Sequence, residues 1–75
     1  MPQASPALRN AMMKYFGSEI DDGPPTKYLR SMGWTQSRGG IWTDPPARRI
    51  SEKEWDCVYF LCHEWDEAFV PRSRA

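Results

Sequence analysis

The fold class is decided by the stretch WTQSRGGIWTD, residues 34–44. Two short runs rich in β-branched and aromatic residues flank Gly39-Gly40, a pattern typical of a β-hairpin with a tight turn. Pro45-Pro46 follows directly and ends the second strand, because a proline has no N–H to donate to a sheet. An isolated hairpin is only marginally stable, so this one is expected to pack on a helix.

The supporting helix is predicted to begin at Ser51. Ser51-Glu52-Lys53-Glu54 is a capping box, in which the first and fourth residues bond to each other's backbone N–H groups, and the helical pattern continues to about Val70, before Pro71. Apolar side chains recur along it at 3-4-3-4 spacing, so they are predicted to form one stripe that faces the core. The stripe consists of Trp55, Val58, Cys62, Trp65 and Phe69.

Two shorter helices are predicted before the hairpin. Ser5-Pro6 is a typical start, because Ser caps a helix and Pro is tolerated in the first turn, and Gly17 is a natural stop. A loop is expected over residues 18–25, followed by a second helix that Thr26 caps and Gly33 ends.

The predicted fold is therefore a single small α+β domain in the order α-α-β-β-α, with a two-stranded antiparallel hairpin packed on a long C-terminal helix. The domain spans residues 1–75, with flexible tails at 1–4 and 71–75, and residues 47–50 are either a connector or a short third strand. So short a chain buries only about 60% of the surface that it exposes when unfolded. Its few large aromatic residues are therefore expected to fill the core, Trp34 and Trp42 of the hairpin among them.

Composition and spacing also bear on the compartment. No run of 18 or more apolar residues occurs, so no membrane span is expected, and the first residues lack the basic start and apolar stretch of a signal peptide. Cys57 and Cys62 point in different directions if both lie on one helix, whereas a disulfide needs converging Cβ vectors. Both thiols are therefore expected to be reduced and the protein to be cytoplasmic.

No cofactor, metal site or catalytic centre is predicted. His63 is the only histidine, and His63-Glu64-x-x-Glu67 lacks the second histidine of the zinc-protease helix signature. Gly39-Gly40 lacks the flanking pattern and the lysine of a phosphate-binding loop, and no nucleophile–base pair is visible. These observations favour a non-catalytic binding protein.

Charge is distributed unevenly along the chain. Residues 1–50 carry seven Lys/Arg and four Asp/Glu, whereas residues 51–75 carry three Lys/Arg and six Asp/Glu. The last helix is therefore predicted to present an acidic surface suited to a basic partner. The residues predicted on this solvent face are Lys53, Asp56, His63, Glu64 and Glu67.

One aromatic residue breaks the pattern of the last helix. Phe60 is predicted to project from the middle of the solvent face, with Tyr59 at its border. Two interpretations stay open: a singly exposed aromatic, which is ordinary, or an anchor for a host protein or for a homodimer, since aromatic residues are enriched at binding hot spots. The predicted partner-binding residues are Phe60, Tyr59, Asp56, His63, Glu64 and Glu67.

The alternative function is a nucleic-acid-binding module that uses the basic side of the hairpin. Trp34 and Trp42 would then stack on bases while basic side chains contact phosphates. The predicted phosphate-contacting residues are Lys27, Arg30, Arg38, Arg48 and Arg49. A formal net charge of zero argues against a dedicated duplex-DNA binder.

Part of the chain resembles small bacteriophage and prophage proteins. The pattern is Tyr28-Leu29-x-x-x-Gly33-Trp34-Thr35 followed by Gly40-x-Trp42-Thr43-Asp44-Pro45. This resemblance implies a phage accessory setting, in which small single-domain proteins often bind and inhibit host machinery, as anti-CRISPR proteins do.

The same stretch is also similar to HicA-type toxins, which are small RNA-cleaving domains with a double-stranded-RNA-binding fold. Those toxins carry a histidine in the hairpin, whereas Ser37-Arg38-Gly39-Gly40-Ile41 has none. The departure argues against nuclease activity and leaves RNA binding as what this resemblance implies.

Overall fold

The computed structural model describes residues 5–18, 20–46 and 48–70. Their elements, in chain order, are α1 (Pro6–Phe16), α2 (Gly23–Ser31), β1 (Thr35–Gln36), β2 (Ile41–Thr43), α3 (Glu52–Glu64) and β3 (Ala68–Phe69). The predicted α+β class and the order α-α-β-β-α in a single small domain are confirmed, and a short third strand follows α3. The expected tails at 1–4 and 71–75 lie outside the described residues.

Local capping signals begin α1 and α3 as predicted. Ser5 Oγ accepts a 3.2 Å hydrogen bond from the N–H of Leu8, and Pro6 lies in the first turn of α1. Ser51 and Glu54 form the reciprocal capping box at the start of α3. Because these contacts join residues three positions apart, the local sequence is enough to predict them.

The second helix begins earlier than the sequence predicts. The expected loop over residues 18–25 gives way to helix after Asp22, and α2 starts at Gly23 instead of following Thr26. Pro24 and Pro25 therefore lie in its first turn. A missing N–H is tolerated there, because that group has no acceptor within the helix in any case.

The predicted hairpin forms, and a third strand joins it. β1 and β2 pair antiparallel with Thr35 opposite Thr43, and Gly40 in the turn has a φ of 77°, a conformation that suits glycine. β3 pairs parallel with β2, with Ala68 beside Ile41, so the sheet order is β1-β2-β3. β3 was not predicted, because its residues continue the apolar pattern that was assigned to the last helix.

The last helix is shorter than predicted, which shifts the face that it buries. α3 ends at Glu64, and Asp66 takes a positive φ of 56° as the chain turns towards β3. Two members of the predicted stripe, Trp65 and Phe69, therefore lie beyond the helix, and the remaining members do not define its buried face. The residues that α3 buries are Glu54, Cys57, Val58, Phe60 and Leu61.

Two side chains of this region were placed wrongly by the sequence analysis. Phe60, predicted on the solvent face, is 1% exposed, and Trp65, predicted in the core, is 44% exposed. Both α1 and α2 pack against α3, so its buried face is wider than a single stripe. Phe60 consequently joins the core cluster together with Met12 and Leu29.

The remaining core follows the prediction for the hairpin tryptophans. Trp34 and Trp42 are 2% and 0% exposed, and they join the same cluster as the buried residues of the three helices. Within the described part of the chain, no helix is long and apolar enough to cross a membrane.

Candidate functional site

A groove with a volume of about 440 Å³ lies between α1 and α3. One face of α3 lines it, because the contributing side chains recur at 4-3-4 spacing: Glu52, Asp56, Tyr59 and His63. The opposite wall comes from α1 and its cap, with mostly small or aliphatic side chains: Ser5, Ala7, Leu8 and Ala11. The groove therefore places an apolar wall opposite a wall that carries two carboxylates.

The large aromatic side chain of the groove is Tyr59, which is 47% exposed. Its ring stacks on that of Trp55, with centroids 5.7 Å apart and an interplanar angle of 18°. Trp55 in turn meets the buried Trp34 edge-on at 5.9 Å. The exposed ring of Tyr59 thus rests on aromatic residues continuous with the core, which fixes its orientation before any ligand arrives.

The two carboxylates of the groove have few partners in the protein. Asp56 Oδ2 accepts a 2.9 Å hydrogen bond from the Tyr15 hydroxyl, and this bond is the main reason why the pKa of Tyr15 is raised to about 12. Across residues 5–18, 20–46 and 48–70, no Lys or Arg forms an ion pair with Asp56 or Glu52. The groove is therefore acidic and open to a cation.

Lys53 follows Glu52 directly in the sequence, yet its ammonium lies among aromatic rings. Nζ is 4.4 Å from the ring centroid of Tyr28, 5.2 Å from that of Phe16 and 5.3 Å from that of Tyr15. Such distances allow attraction between a cation and the negative faces of the rings. We call these three rings the Lys53 cage.

The structure brings three of the six predicted partner-binding residues to the groove. They are Asp56, Tyr59 and His63. Phe60 is buried, so it presents no surface to a partner. Glu64 lies elsewhere and forms a 2.9 Å ion pair with Arg9, which ties α3 to α1.

Glu67, the sixth predicted residue, bonds to side chains of the sheet. It precedes β3, and its Oε1 accepts hydrogen bonds from Trp42 Nε1 at 2.6 Å and from Gln36 Nε2 at 3.1 Å. The bonds link the turn after α3 to both strands of the hairpin. Glu67 therefore helps to position the third strand, away from the groove.

The sequence analysis missed Glu52 and the wall supplied by α1. The 4-3-4 spacing of Glu52, Asp56, Tyr59 and His63 is a signal that would have grouped the α3 residues. This spacing was not recognised because the core-facing stripe was assigned along a predicted helix that extends beyond Glu64, where α3 ends. Which face of α1 would lie opposite depends on tertiary packing, for which the sequence carries no comparable signal.

The predicted nucleic-acid-binding residues have different roles in the structure. Arg48 donates to both carboxylate oxygens of Glu54 and to the carbonyl of Met32, so its guanidinium stabilises the fold. Arg30 donates a 3.0 Å hydrogen bond to Gln36 Oε1 and lies over the Trp42 ring at 5.9 Å. All five predicted residues are exposed: Lys27, Arg30, Arg38, Arg48 and Arg49.

Glu54 is the one fully buried charged residue in the described part of the chain. Burial alone would raise the pKa of its carboxyl group, but hydrogen bonds from Arg48, Ser51 and Trp34 outweigh that effect and lower the pKa to about 2. The carboxylate is ionised at neutral pH. It contributes to the core rather than to the groove.

The thiols and the metal-binding residue types form no reactive centre in the described part of the chain. Cys57 and Cys62 are both free. Burial raises the pKa of Cys57 to about 12 and also raises that of Cys62, so both are protonated and weakly nucleophilic near neutral pH. Among the described residues, no group of three or more His, Cys, Asp or Glu is placed to hold a metal ion.

A comparison with protein-family models gave a match over most of the chain. A family model described as phage Pam3 gp59 related protein matches residues 1–70, a range that includes both helices of the groove. Comparisons with curated proteins and with solved structures gave no match.

Proposed function

Because this chain belongs to the family of phage Pam3 gp59-related proteins, we propose that it is a non-catalytic phage accessory protein that binds a protein partner. The observation that carries this proposal is the groove between α1 and α3, where two carboxylates that pair with no Lys or Arg of the described residues meet the exposed ring of Tyr59. Well-supported aromatic side chains of this kind are enriched at binding hot spots.

The chemistry of the groove favours a basic segment as the occupant. Lys and Arg carry long apolar stems below their charged heads, and an Arg guanidinium also stacks on aromatic rings. The stem would lie against Leu8 and Ala11, the cation would meet Glu52 and Asp56, and a guanidinium would cover the ring of Tyr59. Each side of the groove therefore has a counterpart in one basic side chain.

Inhibition of a host protein is the role that we assign to this binding. A basic segment of a host protein commonly serves to bind an anion, and an acidic groove that covers the segment competes with that anion. The buried Phe60 takes no part in this contact. The proposal therefore keeps Asp56, Tyr59 and His63 as binding residues and adds Glu52 and the wall of α1.

The test uses short peptides in which Lys or Arg alternates with Leu or Ala, and a matched set in which Glu replaces the basic residues. Titration followed by NMR should shift the signals of Ala11 and Tyr59 with the basic peptides alone. Glu52→Gln should weaken that binding about threefold, the usual scale for one exposed charge pair. Asp66→Asn, which removes an exposed acid outside the groove, is the matched control and should have no effect.

Three outcomes would contradict the proposal. Equal binding of the acidic peptides would show that the carboxylates do not select the ligand. Shifts confined to Lys27, Arg30 and Arg38 on adding RNA or DNA, with none from the peptides, would favour the nucleic-acid alternative. Concentration-dependent shifts of groove signals without any ligand would assign the groove to self-association.

A further inference from the structure

The charge of the groove depends on where the ammonium of Lys53 lies. Lys53 and Asp56 are three positions apart on α3, a spacing at which side chains on a helix surface meet, and Glu52 is its neighbour in sequence. A lysine at this position is able to pair with Asp56 of the groove. In the structure Lys53 forms no ion pair with Asp56, and its Nζ lies within the three rings of the Lys53 cage.

The cage is built from two helices and is supported from within. Tyr15 and Phe16 of α1 meet edge-on at 6.2 Å, and Phe16 meets Tyr28 of α2 in the same way at 6.2 Å. All three rings are partly buried and pack on the core. The site for the ammonium therefore exists whenever α1 and α2 are docked on α3.

Tyr15 connects the cage to the groove. Its ring faces Lys53 while its hydroxyl donates to Asp56 Oδ2. One side chain thus attracts the cation of α3 with its face and orients the groove carboxylate with its hydroxyl. The internal cation and the groove acid therefore both contact one side chain, the cation at its ring and the acid at its hydroxyl.

From this arrangement we infer that Tyr15, Phe16 and Tyr28 determine the specificity of the groove by keeping the ammonium of Lys53 away from Asp56, which leaves the groove selective for a cation supplied by the partner. The inference rests on the proposed function for the identity of that partner. The predicted negative charge of the groove depends only on the position of Lys53 Nζ, whatever the partner is. Lys53 is thereby a specificity-determining residue that does not touch the ligand.

The first experiment measures the potential of the groove without any peptide. A cationic and an anionic nitroxide of matched size are added separately, and their relaxation of the Ala11 methyl and Tyr59 ring protons is compared by NMR. The wild-type protein should favour the cationic probe at these protons. Phe16→Leu/Tyr28→Leu, which keeps apolar volume but removes two rings, should reduce that preference at least twofold, and adding Lys53→Met should restore it.

Matched variants separate this effect from general disturbance of the fold. Trp65→Leu removes a half-exposed ring outside the cage and should leave the probe preference unchanged. Should the two-ring variant not fold, Lys53→Met alone decides the matter: with Lys53 caged, it should change the preference less than Glu52→Gln does. An unchanged preference in a folded two-ring variant, or a larger change for Lys53→Met than for Glu52→Gln, would overturn the inference.

The second experiment repeats the basic-peptide titration on the same variants. The two-ring variant should bind about threefold more weakly than the wild type, and the added Lys53→Met should recover the loss. Failure of the wild-type protein to bind any basic peptide would refute the proposed function, while the nitroxide result would still decide whether the cage controls the charge of the groove.

Discussion

The indole N–H of Trp34 donates a 2.9 Å hydrogen bond to Oε1 of Glu54. The same carboxylate accepts bonds from Arg48 and from both the hydroxyl and the N–H of Ser51. The start of the hairpin, the connector and α3 therefore meet at one buried anion. Such an anion is stable in the core only when its charge and lone pairs are satisfied, which makes the whole set interdependent.

Replacing Glu54 by Ala should lower the free energy of unfolding by about 3–5 kcal/mol, the scale for breaking a buried ion pair by removing one partner. Arg48 and the Trp34 indole would both lose their acceptor. Urea unfolding at neutral pH measures the change. Glu52→Ala, on the same turn but exposed, is the control, and a loss for Glu54→Ala no greater than for this control would show that the network contributes little.

The free energy of unfolding at acidic pH should depend on the ionisation of the Glu54 carboxylate. Its folded pKa of about 2 lies below the ordinary value of 4.5, so the folded state favours the ionised form and gains stability above pH 4.5. This contribution is lost as the pH falls from 4.5 towards 2. Stability curves of the wild type and Glu54→Gln should therefore converge over that range, and parallel curves would contradict the assignment.

Truncation of Phe60 should destabilise the protein more than truncation of Trp65, whereas the sequence alone predicts the reverse order. Phe60→Ala removes a buried ring and should cost about 3–5 kcal/mol of stability. Trp65→Ala removes a half-exposed ring beyond the helix and should cost about 1 kcal/mol or less. Thermal melting of the two variants side by side measures the difference, and a larger loss for Trp65→Ala would mean that the end of α3 is misplaced.

The hydroxyl of Tyr15 should ionise only at high pH. Its pKa is raised to about 12 from 10, chiefly by the bond to Asp56, so the folded state holds the phenolic proton more tightly than the unfolded chain does. This stability is present below pH 10 and is lost as the pH rises through about 12. In a titration followed by tyrosinate absorbance, the ionisation step near pH 12 should be absent from Tyr15→Phe. The same step should occur at lower pH in Asp56→Asn.

Replacing Asp66 by glycine should stabilise the protein. Its φ of 56° is a left-handed conformation that strains most residues with a Cβ and that glycine adopts freely. Asp66→Gly is expected to raise the free energy of unfolding by up to about 1 kcal/mol, whereas the β-branched Asp66→Val should lower it by about 1–2 kcal/mol. Equal stability of the two variants would show that the turn rearranges around them.

The features predicted correctly from sequence are those that short-range contacts create. Ser5 caps α1, Ser51 and Glu54 cap α3, and Gly40 turns the hairpin, each through partners within a few residues. The end of α3 was missed because Asp66 adopts a conformation usually taken by glycine. Residues 51–70 contain no glycine or proline, so no local signal marked the end of the helix.

The candidate site was only partly predictable for a related reason. The structure places Asp56, Tyr59 and His63 along one wall of the groove because they share one face of a helix, whereas the wall from α1 depends on tertiary docking. The partners of Glu67 and Arg48 are likewise set by tertiary structure. Their charges marked them as surface residues in the sequence, while in the structure they bond to Trp42 and Glu54.

The parallel pairing of β3 with β2 has a consequence for the order of folding. Parallel strands cannot be joined by a tight turn, so the connection between them contains the whole of α3, and Ala68 reaches its partner Ile41 only after that helix is in place. Non-local pairings form more slowly than hairpins. We therefore expect folding in two kinetic stages, of which the second is the pairing of β3. The N–H groups of Ala68 and Val70 donate to Gly40 and Trp42 in that pairing. The time at which these two N–H groups become protected from hydrogen exchange during refolding measures the second stage.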